Sequence, residues 1–242
     1  DAGEFERALS MFEQVLEGTT ARFGRNHQYT LLSMEHLADA YADAEDFDRA
    51  LPLYKQLLQQ METTLGKDHD QTLDCLKGLA SVYKDRGEFE EAIPLYEQLL
   101  DRTQARFGPE HAQTLSRMNS LALAYKTAGD LDKALPLYER TLQLKRQVHG
   151  PDHDSTLTTL GNLAFAHHAA GDIDKALLMF EQRYDLTRAR LGPDHADTRR
   201  AMSRWLRACI EAERTEDVIA LIDRILVDVR RTLEPDGPDL GD

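Results

Sequence analysis

The sequence predicts an all-α fold, a solenoid of antiparallel helix pairs, and two observations lead to it. Five similar segments recur with a period of 42 residues and close on Thr30, Thr72, Thr114, Thr156 and Thr198. Between them, apolar residues three and four apart mark one buried face on each predicted helix. Because neither helix of a pair can bury that face alone, neighbouring pairs must stack and cover it together.

The first helix of each pair is predicted from a short apolar pattern. In the first copy, Leu37 and Ala38 are followed three residues later by Tyr41. This spacing places all three side chains on one helical face. Glycine adopts the left-handed conformation that commonly follows a helix C-terminus, so glycines should end this helix in three copies. They are Gly87, Gly129 and Gly171.

The second helix has its own stripe, which in the first full copy is Phe47, Ala50 and Tyr54. The alanine lets a neighbouring helix approach closely, and the aromatic ring fills the space beside it. A proline inside this helix removes one N–H donor and should bend the helix slightly. Three copies carry it, as Pro52, Pro94 and Pro136.

These patterns predict one solenoid domain over residues 1–232, and a tail after it. A leading helix at about 3–22 precedes five helix pairs at about 27–64, 69–106, 111–148, 153–190 and 195–232. Residues 233–242, LEPDGPDLGD, are expected to be a frayed acidic tail, a decayed copy of the linker. The chain starts within a repeat and without Met, so we expect a fragment of a longer protein.

Each linker carries a histidine, and the set is His27, His69, His111, His153 and His195. Equivalent residues of adjacent repeats are roughly 10 Å apart, too far to share a metal ion with bonds of about 2 Å. We expect structural linkers in which the histidine packs against the neighbouring repeat, with metal or anion binding as the alternative. The residue before each histidine is expected to cap the next helix. These are Asn26, Asp68, Glu110, Asp152 and Asp194.

Composition narrows the class of function. A net charge of −14 repels phosphate backbones and argues against nucleic acid as a partner. No apolar run approaches the roughly 20 residues that span a bilayer. Cys75 and Cys209 are expected to be buried free thiols of a reducing, cytoplasmic compartment. His167 occupies the tyrosine position of the first-helix pattern, so we expect it in the core. No phosphate loop, HExxH or GxSxG motif occurs, which predicts no enzyme activity and no cofactor or metal.

The repeated segments HLADAY, GLASVY and SLALAY, with Gly, Ala and Tyr in GEFEEAIPLYEQLL, resemble the tetratricopeptide repeat (TPR) family. The period and the LGPDHxxT linker resemble its kinesin-light-chain subtype over residues 3–232. The resemblance implies a right-handed TPR superhelix whose concave groove, lined by the first helices, binds a protein or peptide. It also implies a bacterial source, where such arrays sit beside NTPase or protease-like domains. A regulatory or sensor segment that packs on a neighbouring domain is therefore the alternative.

Carried over by register, the groove residues change from acidic to basic along the chain. Kinesin light chains carry paired asparagines here, of which only Asn119 and Asn162 match, so capture of a peptide by an asparagine ladder is in doubt. The charge gradient suggests a partner segment with a basic end and an acidic end, and ordinary surface variation is the alternative. The candidate partner-binding residues are Glu35, Asp39, Asp43, Lys77, Lys84, Asn119, Lys126, Asn162, Phe165, His168, Arg200, Arg204 and Arg207.

The last helix departs from the repeat pattern. Its segment VIALIDRILVDV, residues 218–229, has a wide apolar surface that includes Val218, Leu221, Ile222 and Val229. An end helix should be polar outside. We expect this helix to pack inward with different partners. An exposed apolar patch for self-association or for docking of another domain is the alternative.

Overall fold

The fold is that of a computed structural model, which describes the backbone of residues 2–233 and the side chains of residues 4 and 6–227. The predicted tail lies outside these residues, apart from the backbone of Leu233. Within the described range the chain forms eleven helices and no strand. The helices are α1 Ala2–Phe23, α2 Gln28–Asp43, α3 Phe47–Thr64, α4 Asp70–Arg86, α5 Phe89–Phe107, α6 Ala112–Thr127, α7 Leu131–His149, α8 Asp154–Ala169, α9 Ile173–Leu191, α10 Ala196–Glu211 and α11 Thr215–Leu233.

Residues up to Ala134 form one compact unit, in which consecutive helices from α1 through α6 pack against one another in chain order. The predicted alanines are fully buried here, as Ala38 and Ala80 show. Next to them, Tyr54 and Tyr96 are each 3% exposed. The small and large side chains of the stripe therefore fill the space between helices as the repeat pattern predicts.

Residues from Leu135 onward form a second compact unit, in which α8 to α11 also pack in chain order. Its core includes Ala164, Phe180 and Leu221. Trp205, which replaces the repeat leucine in α10, is 3% exposed and its ring lies 5.7 Å from that of Tyr184. The larger ring is thus part of the core rather than a surface feature.

The predicted glycines do end first helices in the left-handed conformation. Gly87, Gly129 and Gly171 have φ angles between 82° and 85°. The next N–H closes the turn, as when Glu88 donates to the carbonyl oxygen of Tyr83 over 2.9 Å. The first and last pairs make the same turn with Glu45 in one and Glu213 in the other, both at φ 57°.

The linkers correct the prediction about helix caps. The residue before the histidine does not cap the next helix, because the histidine itself does. In each linker the Nδ1 atom of the histidine accepts the backbone N–H two residues later, at 3.2–3.3 Å. An imidazole nitrogen thereby does the work that we expected from Asn26, Asp68, Glu110, Asp152 and Asp194.

The histidine side chains are exposed, and their ring contacts are local to the linker. The ring of His27 stacks on Phe23 with centroids 4.7 Å apart. His111 stacks on Phe107 at 4.6 Å, and His153 on His149 at 4.8 Å. Each ring therefore packs on the last turn of the preceding helix. Residues elsewhere in the repeat are not involved in these stacks.

The threonine that closes each linker segment ties the turn together from inside. Thr30, Thr72, Thr114 and Thr198 are buried, and each hydroxyl donates to the carbonyl oxygen of the linker glycine over 2.7–2.8 Å. Thr156 donates instead to the carbonyl oxygen of Lys145 over 3.4 Å. The segment is therefore a structural joint with its own hydrogen bonds.

Three individual residues lie where the sequence predicts them. Cys75 and Cys209 are buried free thiols, and burial raises the pKa of Cys75 to about 12. His167 is 3% exposed, and its Nδ1 atom lies 3.1 Å from the Asp172 carboxylate. Among the residues that the structure describes, no three His, Cys, Asp or Glu side chains converge to hold a metal ion.

None of the described helices is both long enough and apolar enough to cross a bilayer.

Candidate partner-binding surface

The predicted groove residues lie on first helices at helical spacing. Glu35, Asp39 and Asp43 are four residues apart on α2, so they line one face. Arg200, Arg204 and Arg207 are four and three residues apart on α10, so they also share one helical face. Each set lies in a different compact unit, and each unit has its own depression lined by its own first helices.

The depression of the first unit encloses about 590 Å³ between α2 and α4. It is mainly acidic. Burial, and then the neighbouring charges of Asp39 and Asp74, raise the pKa of Glu35. The raised pKa reflects burial first and carboxylate repulsion second, and a bound cation would relieve the repulsion. The predicted residues that line this depression are Glu35, Asp39, Asp43 and Lys77.

Several of these charges already have partners. The hydroxyl of Tyr54 donates to the Asp39 carboxylate. Lys84 pairs with Asp85 at 2.9 Å. These contacts restrain the side chains of this surface, and they leave fewer unpaired charges to bind a ligand. Lys84, Asn119 and Lys126 also belong to this unit but are not among the residues that line the depression.

The pocket of the second unit encloses about 450 Å³ between α8 and α10. Phe165 forms its apolar wall. It is 37% exposed, and its ring meets Phe180 edge-on with centroids 4.9 Å apart. The Arg204 guanidinium lies 5.7 Å from the centre of the Phe165 ring. Five predicted residues line this pocket, namely Phe165, His168, Arg200, Arg204 and Arg207.

This pocket carries positive charge that is only partly compensated. Arg200 pairs with Asp197 at 3.0 Å, and His168 lies 3.6 Å from the Glu211 carboxylate. Within the described part of the chain, Arg204 and Arg207 have no ion-pair partner. Asn162, the remaining predicted residue, lies on α8 next to the pocket and does not line it.

The two helices of a pair are joined by a contact that was not predicted from the sequence. A groove residue and the residue fifteen positions later contact each other. Tyr54 bonds to Asp39, the hydroxyls of Tyr96 and Ser81 are 2.9 Å apart, and the Phe180 ring packs on Phe165. In these three pairs, where the second-helix residue is tyrosine, its groove partner is polar, and where it is phenylalanine, the partner is phenylalanine. This correlation between residues fifteen positions apart is present in the sequence and could have predicted the contact.

The last helix packs inward on one side only. Leu221 is fully buried against the α9 and α10 core. Arg224 holds the helix to α9 through Glu181 at 2.7 Å. The opposite side stays apolar and exposed, with Ile219 at 55% and Ile222 at 46%. The side chain of Val229 lies outside the described residues. Inward packing and an exposed patch therefore coexist.

Comparisons with known proteins agree with this architecture. The nearly identical TPR-like repeats from Podosopora anserina, described as a kinesin light chain, share 26% identity with this chain. They match with a TM-score of 0.70 over 78% of this chain and 90% of that one. BtubC (BKLC) from P. vanneervenii shares 20% identity, with a TM-score of 0.73 over 98% of this chain and 95% of its own.

A third solved structure is a Rap protein complexed with Competence and Sporulation Factor. It is 14% identical and has a TM-score of 0.64 over 93% of this chain and 59% of its own. No curated protein matches the chain. The Tetratricopeptide repeat family model matches residues 1–63, 32–105, 78–147 and 119–189. The chain therefore belongs to the tetratricopeptide repeat family, with kinesin-light-chain-like solved neighbours.

Proposed function

We propose that the chain is a protein-interaction scaffold that binds a peptide segment along the surface of its first helices. The observation that carries the proposal is the pocket of the second unit. There, an exposed aromatic ring on α8 and three arginines on α10 surround one opening. An apolar wall with a few charged groups is typical of a site that anchors one side chain and orients the rest of a ligand.

One solved neighbour supports a peptide as the class of ligand. The Rap structure, which has a similar fold, was obtained in complex with Competence and Sporulation Factor. Repeat folds accept many partners, so the partner of this chain must be argued from its own surface residues. The family is generally not enzymatic, and we propose that this chain has no catalytic activity, needs no cofactor and acts in the cytoplasm.

The charges suggest the chemistry of the partner. The depression of the first unit would attract a basic stretch, and the arginine pocket of the second unit an acidic one. Complementary charge would set the orientation and the association rate of the peptide more than its affinity. An aromatic or aliphatic side chain beside Phe165 would supply the buried anchor.

A peptide array tests this function. The wild-type chain should select peptides with acidic residues near an apolar anchor. Phe165→Ala should weaken the selected peptides about 10-fold or more, as loss of a buried interface anchor does. Arg207→Glu should reverse the charge preference. Arg140→Glu, on the exposed surface of α7, is the matched control and should bind as wild type. Equal binding by all four proteins would reject the proposal.

A second role, as a regulatory segment that docks a neighbouring domain, is favoured by the exposed side of α11. Ile222 occupies the same repeat position as Tyr54, Tyr96 and Phe180, which are at most 3% exposed. In α9 the residue at this position, Phe180, belongs to a buried cluster that includes residues of α10, a first helix. We propose that the occupant of the α11 face is an amphipathic helix with the same Leu-Ala-x-x-Tyr stripe.

The docking role has its own test. A labelled peptide of residues 112–127, which contains such a stripe, should bind the chain with saturation in fluorescence anisotropy. Ile219→Lys combined with Ile222→Lys should abolish binding, while a peptide with Leu121→Asp should not bind wild type. If the helix does not bind and the chain dimerises through the same two isoleucines, a second copy is the occupant and the docking role is wrong.

A further inference from the structure

We propose that Arg183, lying over Gly161, forms with Arg200 and Arg204 a subsite for a single oxyanion, a carboxylate or a phosphate monoester. This inference rests on the proposed peptide-binding function and names the chemical group that the second unit would select. The subsite adjoins the Phe165 pocket, because Gly161 precedes Phe165 by one helical turn on the same face of α8.

Arg183 lies at a repeat position that belongs to the core in three other second helices, α3, α5 and α7. The equivalent residues Leu57, Leu99 and Thr141 are fully buried. Arg183 is partly buried, and its Nε atom is enclosed without a hydrogen-bond partner among the described residues. An enclosed guanidinium donor without an acceptor is costly, so this arginine is not explained by packing.

The glycine opposite it makes room for the guanidinium. A Cβ atom at position 161 would lie 2.6 Å from the Nη1 atom of Arg183 and 3.2 Å from its Cζ atom. The guanidinium therefore lies against the backbone of α8, where any other residue would push it away. The equivalent residues in other copies, such as Glu35, Lys77 and Asn119, all carry a side chain.

The surrounding charges leave the site positive. Burial, then the charge of Arg204, lowers the pKa of Arg183 to about 10, and Arg200 adds to this effect. Asp197 opposes it, but Asp197 is already paired with Arg200 at 3.0 Å. Arg183 and Arg200 thus share Asp197 as an acidic neighbour, and Arg204 adds a third positive charge. An anion bound at the exposed part of the guanidinium would relieve the repulsion and change the environment of the enclosed Nε donor.

A guanidinium is suited to an oxyanion in particular. It presents its N–H donors in a planar fork that matches two oxygens of a carboxylate or phosphate. Partial burial strengthens such contacts, because water competes less for the donors. The adjacent ring of Phe165 would contact the apolar part of the residue that carries the anion.

The first experiment observes the site directly. We would follow the Arg183 Nε–Hε NMR signal, assigned by its loss in Arg183→Leu, while inorganic phosphate or acetate is added at constant ionic strength. Arg102, which is paired with Glu62 at 2.9 Å, is the internal reference. We expect a saturable shift at Arg183 and none at Arg102. Equal or absent shifts at both would overturn the inference.

The second experiment uses variants. Arg183→Leu should weaken phosphate binding about 10-fold or more, and it should raise the melting temperature because it restores the residue found at positions 57 and 99. Gly161→Ala should also weaken binding, although it removes no charge. Arg199→Gln, on the exposed surface of α10, removes one charge outside the site and should leave binding unchanged. A loss of binding equal to that of Arg183→Leu in Arg199→Gln would show a general charge effect and reject the subsite.

The third experiment identifies the source of the oxyanion. Peptides selected on the array would be compared with phosphoserine, Glu or Gln at the acidic position. A preference for phosphoserine assigns a phosphate, and a preference for Glu over Gln assigns a carboxylate. If peptides bind equally well to wild type and Arg183→Leu, the subsite is wrong and the scaffold function stands. If phosphate shifts Arg183 but no peptide binds, the subsite stands and the peptide-binding function fails.

Discussion

Equivalent tyrosines of different repeats differ in whether their buried hydroxyl has a hydrogen-bond partner. In the first unit, the hydroxyls of Tyr54 and Tyr96 have polar partners on the preceding helix. Tyr138 takes the same repeat position in α7, is fully buried, and has no hydrogen-bond partner for its hydroxyl within the described residues. Burial alone raises its pKa. The aromatic ring is therefore retained at this position in α7, but the hydrogen bond of its hydroxyl is not.

The first prediction compares these tyrosines. Tyr138→Phe removes an unsatisfied hydroxyl and should leave the free energy of unfolding unchanged or raise it by up to about 1 kcal/mol. Tyr96→Phe removes a satisfied hydroxyl beside Ser81 and should lower it by about 1 kcal/mol. Urea unfolding of both variants measures the difference. An equal loss in the two would show that Tyr138 has a partner in solution.

Lys145 is a second costly residue. It is 5% exposed, and its ammonium group donates to the Ser155 carbonyl oxygen and the Thr159 hydroxyl over 3.2 and 3.0 Å. No carboxylate neutralises it in the described structure. Burial lowers its pKa to about 8. The equivalent residue in α3 is the buried Met61.

The second prediction is that Lys145→Met stabilises the chain by about 1–3 kcal/mol at pH 7, because it removes a buried charge. Between about pH 8 and pH 10.5 the unfolded chain holds the lysine proton and the folded chain releases it. Wild-type stability should therefore rise with pH in this window, and the advantage of the variant should shrink. Lys175→Met, at an exposed position, is the control. A pH-independent advantage would contradict this account.

At the scale of elements, the helix ends explain the period. A left-handed residue closes each first helix, and a histidine opens the next one after the linker. A glycine makes the left-handed turn in three pairs, whereas Glu45 and Glu213 make it in the other two. A residue with a Cβ atom pays roughly 1–2 kcal/mol in that conformation.

The third prediction follows from that strain. Glu45→Gly should raise the free energy of unfolding by about 0.5–1 kcal/mol, partly offset by the greater freedom of glycine in the unfolded chain. Gly87→Glu, the reverse change at the equivalent turn, should lower it. Thermal unfolding of both variants measures the pair. A loss of stability in Glu45→Gly would show that the Glu45 side chain contributes more than its backbone strain costs.

The fourth prediction concerns the histidine cap. His111→Ala should lower the free energy of unfolding by about 1 kcal/mol, since the N–H of Gln113 loses its acceptor and Phe107 loses its stacking partner. His111→Asn should restore the acceptor and recover part of the loss. The melting temperatures of the two variants distinguish the contribution of the capping hydrogen bond from that of the ring stacking. Equal losses would assign the stabilisation to the ring contact alone.

At the scale of the whole molecule, the helices were predictable because the repeat supplies the same evidence five times. The predicted leading helix, 3–22, is within one residue of α1 at each end. The cap was predicted wrongly because an acidic residue beside a helix N-terminus is favourable even when it does not cap. The single-domain organisation of residues 1–232 stays a prediction.

The candidate site was predictable only in part. Register predicted Phe165, Arg204 and Arg207 on first helices, and in the structure they line one pocket, although their role in binding stays a prediction. Arg183 was missed because it belongs to a second helix, and its equivalents in α3, α5 and α7 are core residues. Its path over Gly161 depends on the tertiary packing of α8 and α9. A comparison of positions 161 and 183 across repeats shows that glycine and arginine are unusual there. It does not show that the Arg183 guanidinium lies against Gly161.

The most direct test of the central claim is an NMR titration of the labelled chain with a peptide selected on the array. The account predicts that shift changes concentrate on the first helices, and above all at Phe165, Arg204 and Arg207. Phe165→Ala should remove them. Changes concentrated on the second helices or the linkers, with Phe165 unaffected, would contradict the claim that this surface binds the partner.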